Sequence, residues 1–118
     1  MPDFGLFIGF GFPARGREEG AVKVFGELLE LLGGQQQRGN VESFEPVFLQ
    51  PHGGDLGGFV IVRGDRAKLD AFVASDEFQR VANRAQVIVD NFGVVNLQLG
   101  GELQRQVNKL LPDTADLR

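Results

Sequence analysis

Side chains alternate with a period of two in three stretches of the chain, a fourth is a short run of apolar residues, and apolar residues recur at helical spacing between them. From Phe4 to Phe12 one face carries Phe4, Leu6, Ile8, Phe10 and Phe12, and the other Gly5, Phe7, Gly9 and Gly11. This predicts a strand with a bulky side and a nearly bare side, ended by Pro13. Glycine inside a strand marks close approach of a ligand or of another backbone. Packing against a helix or a second subunit is the plainer of those readings. Glu18 to Leu32 follows as a helix, with an apolar stripe through Ala21, Phe25, Leu28 and Leu32. Glu18 and Glu19 suit the positive end of its dipole. Gly33-Gly34 is the expected stop.

The stretch Val41–Arg63 reads as a hairpin. Its first arm sets Phe44, Pro46 and Phe48 against Ser43, Glu45, Val47 and Leu49. Its second arm, Phe59-Val60-Ile61-Val62, is apolar on both sides. Pro46 has no amide to give to a ladder, so the first arm belongs at a sheet edge. Pro51 to Gly58 supplies the turn and contains His52. Asp65 and Ser75 are N-caps for two successive helices with a break near Ala74-Ser75. The first carries Leu69, Phe72 and Val73, and the second Phe78, Val81, Ala82, Ala85 and Val89. Gly93 to Leu99 is the fourth strand, with Val95, Leu97 and Leu99 opposite Val94, Asn96 and Gln98. Glu102 to Leu111 is an amphipathic helix stopped by Pro112, and the residues after it are expected to fray.

The element order is therefore β-α-β-β-α-β plus a terminal helix. It implies an α+β, ferredoxin-like domain spanning 1–118, with a core over 4–99 and a terminal helix over 102–111. Both main helices fall on one face of a four-stranded antiparallel sheet. Yet the strands are apolar on both faces, and each large side chain left in water forfeits about 1.5–3 kcal/mol. A second copy laid on the open face is the expected cover, giving a homodimer closed into an α+β barrel.

Composition narrows the function classes. Acidic residues outnumber basic ones 16 to 12, for a net charge of −4, which disfavours a nucleic-acid partner. There is no cysteine and a single histidine, so neither thiolate chemistry nor a multi-histidine metal site fits one chain. The start, Met1-Pro2-Asp3-Phe4, lacks the basic region of a secretory leader, and no apolar run is long enough to span a bilayer. A cytoplasmic protein without membrane contact is expected. Seventeen glycines punctuate strands and turns and form no low-complexity tract.

The opening strand Phe4–Phe12, the hairpin Val41–Arg63, the helix start Ser75-Asp76-Glu77-Phe78 and the strand Val94–Leu99 together resemble the dimeric α+β barrel superfamily. That group includes antibiotic-biosynthesis-type (ABM-like) monooxygenases, YCII-like and EthD-like proteins and stress-responsive barrels. The resemblance covers about Phe4 to Leu99 and is architectural. It implies the fold, the dimer and a small-molecule cavity. The His–Asp pair typical of YCII-like proteins has no counterpart at matching spacing.

Candidate chemistry is sparse. His52 is the one candidate acid or base, with Asp55 three residues on, although a solvated turn histidine is the plainer reading. Gly9 to Ala14 superficially fits a dinucleotide fingerprint, but Pro13 removes an amide and Glu30 lies inside a helix. No cofactor or metal is expected. Arg15, Arg17 and Arg63 can bind an anion if they converge. Glu45, Asn96 and Gln98 are polar groups for a barrel interior. The pocket candidates are thus Gly9, Gly11, Glu45, His52, Arg63 and Asn96. Three functions remain: a small-molecule-binding dimer with its pocket between sheet and helices, a cofactor-independent monooxygenase or isomerase-like enzyme, and a non-catalytic interaction module that docks through its terminal helix.

Overall fold

The computed structural model describes residues 2–118; Met1, where the leader reading begins, lies outside the described residues. The elements are β1 (Phe4–Phe10), α1 (Glu18–Gln37), β2 (Ser43–Phe48), β3 (Gly58–Gly64), α2 (Arg66–Ala74), α3 (Asp76–Gln86), β4 (Gly93–Gln98) and α4 (Gly100–Asp113), closed by a 3-10 turn at Ala115–Leu117. The four strands form one antiparallel sheet in the order β2-β3-β1-β4. This is the ferredoxin-like α+β fold. Pro46 lies on edge strand β2, where its missing amide breaks no interior ladder.

Register fixes which side chains share a face. Leu6 stands opposite Val62 and Asn96, and Ile8 opposite Val60 and Val94. Leu6, Ile8, Val60 and Val62 are fully buried and meet Val24, Leu28 and Leu32 of α1, Leu69 and Phe72 of α2, and Phe78, Val81 and Ala85 of α3. Burying each such side chain stabilises the fold by about 1.5–3 kcal/mol. The other face carries Phe7, Val47, Phe59, Ile61, Val95 and Leu97, and no helix among the described residues covers it. These side chains are half-buried, except Val95, which is 57% exposed.

Four boundaries differ from the sequence reading, one of them at α3, which ends at Gln86 and leaves Val89 in the connection to β4. α1 passes through Gly33-Gly34 and ends at Gln37, with Arg38 as its C-cap, followed by Gly39 at φ +79°. A left-handed residue after the last turn is what stops a helix. Glycine in a right-handed conformation only weakens one, so the glycine pair does not stop α1. α4 starts at Gly100, earlier than expected, and holds Pro112 in its last turn. β1 ends at Phe10, after which Pro13 forms a single bridge with Val89. The break between α2 and α3 falls at Ser75 as expected. Its Oγ accepts from Phe78 N–H at 3.2 Å, and Asp65 accepts likewise from Lys68 N–H.

Candidate functional site

The sheet and the helices diverge at the Phe10 end of β1. There they enclose an apolar cavity of about 380 Å³. Phe10 and Phe48 form its floor on the sheet. Val24, Phe25 and Leu28 wall it from α1, and Val81 and Ala85 from α3. Ile88, Val89 and Phe92, in the connection to β4, close the back. Five of the chain's eleven phenylalanines line it. Phe10, Phe25 and Phe48 pack as a triangle with centroids 5.2–6.1 Å apart, in edge-on and tilted geometries that aromatic quadrupoles favour. The mouth faces solvent, since Val22 is 74% and Phe48 70% exposed.

Backbone holds the mouth's rim. Gly11 N–H donates to Asp90 O at 2.6 Å, and Gly57 N–H to Phe10 O at 2.8 Å. A Cβ on Gly11 would sit 2.7 Å from Asp90 O and 2.9 Å from Asp55 O. Here glycine is required, because three chain segments meet with no room for a side chain. Asn91, at φ +56°, turns the chain between α3 and β4 beside this junction. Across the outer surface of the helices, Arg84 of α3 forks onto Glu27 of α1 at 2.9 and 3.0 Å. That hydrogen bond from Arg84 holds the Glu27 carboxyl below its ordinary value of 4.5.

No side chain lining the cavity is titratable or polar. It has no acid, base, nucleophile or metal ligand to offer, so its recognition chemistry is exclusion of water and contact with apolar surface.

The residues singled out from sequence do not assemble into one site. Gly11 lines the cavity. Gly9 faces the opposite side of the sheet, where the Phe7 ring folds over it and stacks on Phe59 with centroids 5.0 Å apart. Glu45 and Arg63 also lie on that side, Glu45 opposite Ile61 and Arg63 opposite Gly5. Asn96 lies on the helix side, opposite Leu6, so it and Glu45 do not share an interior. With Arg66, Asp70, Gln98 and Glu102 it borders a polar hollow of about 150 Å³ at the Phe4 end of β1, away from the cavity. His52 is exposed in the β2–β3 turn. Its Nε2 lies 2.8 Å from Leu56 O, and its Nδ1 accepts from Gly54 N–H at 3.2 Å. Both ring nitrogens are thus engaged in shaping that turn. Arg15 and Arg17 follow the Phe10 end of β1 whereas Arg63 sits at the Gly5 end, so the three do not converge.

The sequence reading missed Phe25, Phe48, Ile88 and Phe92 as lining residues and assigned apolar helix positions to the core. The usable signal was the abundance of phenylalanine in a chain without tyrosine or tryptophan.

No family model and no curated protein matches the chain. Solved structures do. A hypothetical protein from Arabidopsis thaliana is similar at TM-score 0.66 and 10% identity, over 86% of this chain and 91% of that one. A dimeric ferredoxin-like protein of unknown function from a Jannaschia species aligns at TM-score 0.57 and 19% identity, over 82% and 98%. A structure described as an antibiotic biosynthesis monooxygenase aligns at TM-score 0.55 and 20% identity, with the same coverage. At these identities the likeness is one of fold: the chain has the ferredoxin-like architecture of these proteins.

Proposed function

We propose that the protein is a homodimer that binds a small, uncharged, largely hydrocarbon molecule in the cavity between the sheet and helices α1 and α3. The observation that carries this reading is the wholly apolar lining of a cavity of about 380 Å³, within the usual size range of small-molecule sites. Water gains no hydrogen bonds from such walls, whereas an apolar ring gains dispersion contacts with five phenylalanines. The dimer is supported by the uncovered apolar face of the sheet, and by similar structures described as dimeric.

The test is a fluorescence titration with the neutral probe N-phenyl-1-naphthylamine. Saturable enhancement is expected for the native protein. It is expected to be lost in Ala21→Phe, which fills the cavity from α1. No enhancement, or equal enhancement in both proteins, would remove the reading.

A cofactor-independent oxygenase is the alternative, supported by likeness in fold to structures described as antibiotic biosynthesis monooxygenases, one of them a putative member from Chloroflexus aurantiacus. The lining residues have no group that moves a proton, so any such chemistry would rest on the reactivity of the substrate itself.

A further inference from the structure

The terminal helix α4 turns an apolar face to solvent. Leu103, Val107, Leu110 and Leu111 recur at helical spacing and are 51–62% exposed, and no residue of α4 is buried. Its base is fixed: Asp3 Oδ1 accepts from Gly101 N–H at 2.9 Å, and Leu99 N–H donates to Asp3 O at 2.9 Å. Beyond that anchor its main packing partner is the 3-10 turn after it. The molecule is accordingly drawn out to 52 × 38 × 23 Å. We infer that α4 is an arm that clasps the second copy of this chain, laying its Leu103–Val107–Leu110–Leu111 face on the partner subunit. The inference rests on the homodimer proposed above and specifies what holds it together.

Area is the first argument. Four strands about 4.8 Å apart and ~20 Å long present a face of roughly 400 Å². Two such faces bury roughly 800 Å², short of the ~1,200–2,000 Å² of stable interfaces. A helix of 14 residues is ~21 Å long, and one side of it is about 10 Å wide. Two such arms, counting the surface each covers, bring the total to roughly 1,600 Å².

Continuity is the second argument. Leu97 lies on the uncovered sheet face, and Leu99 reaches back beside Gly5 on that same face before the chain turns into α4. The apolar strip therefore runs unbroken from sheet to arm.

Charge is the third. The polar side of α4 is satisfied within itself. Arg105 forks onto Glu102 at 3.0 and 3.1 Å, and Lys109 lies 3.8 Å from Asp113. Hydrogen bonds from Arg105 and then Gln106 pull the Glu102 carboxyl down to about 2. Balanced charge gives an anionic membrane nothing to attract. On the sheet face, by contrast, Glu45 and Arg63 have opposite signs, and neither has an ion-pair partner among the described residues. A two-fold mate offers each of them an opposite charge.

The test is sedimentation equilibrium of the full chain and two variants, Val107→Glu/Leu110→Glu in the arm and Val95→Asp on the sheet face. The native protein is expected to be a dimer. The arm variant is expected to dissociate at least tenfold more readily, with unchanged circular dichroism and melting of the monomer. A native monomer would overturn the dimer and the arm together. A native dimer weakened by Val95→Asp but untouched by the arm variant would overturn the arm alone. If the arm variant stayed dimeric but melted lower, α4 would belong on its own subunit. Binding of native protein to phosphatidylglycerol vesicles, lost in the arm variant while its dimer persists, would assign α4 to a membrane. Either result would overturn the inference.

Discussion

Arg84 and Glu27 lie 57 residues apart and meet in a two-bonded fork across the seam between α3 and α1. The inner faces of these same two helices wall the cavity. The fork thus braces the spacing on which the cavity's width depends. Two parallel bonds fix orientation as well as distance, which a single contact does not.

Glu27→Gln is therefore expected to lower the melting temperature by a few degrees near neutrality, since the pair is only half-buried. The folded state holds this carboxyl below 4.5. Its contribution is complete above the unfolded value and disappears as pH falls through the lower folded value. Melting curves of the two proteins should accordingly differ at pH 7 and converge in acid, once the pH has fallen through the lowered folded value. A constant difference at every pH would show that the charge is not what braces the helices.

Gly11 sits where carbonyls of Asp55 and Asp90 leave no room for a side chain. Gly11→Ala should cost about 1–3 kcal/mol, the usual penalty for overpacking. It should also lower affinity for the naphthylamine probe, because it spreads the rim of the cavity. Chemical denaturation of both proteins measures the first effect and titration the second.

Gly26, Gly33 and Gly34 lie inside α1, and a Cβ at any of them meets nothing within 4 Å. Alanine at each should raise stability by about 0.5–1 kcal/mol, since glycine gives up more backbone freedom on entering a helix. The denaturation midpoint of Gly26→Ala is the simplest check. A decrease would mean that α1 needs to bend at that point.

His52 shapes its own turn and does not line the cavity. His52→Ala is expected to speed hydrogen exchange at Gly54 while leaving probe affinity unchanged within about twofold, because effects at separate sites are usually independent. A loss of binding in that variant would place the turn over the cavity mouth.

The chain's linear pattern determined much of this protein. Alternation in Phe4–Phe10, the short apolar run Phe59–Val62, the caps at Asp65 and Ser75, and Pro46 on an edge strand are local, and the structure realises each one. Period-two patterning also determined that the sheet is apolar on both faces, because side chains alternate across a strand regardless of what later covers them. The cavity was decided elsewhere. Phe10, Phe25, Phe48 and Phe92 come from four separate segments, and no spacing rule connects them. Glu45 and Asn96 were separated by register, which is a property of strand pairing and not of either strand alone. The end of α1 turned on a single left-handed glycine, Gly39, in a chain that offers several glycines at which to stop. Local patterning dictates which way a side chain points; only packing dictates which side chains it meets.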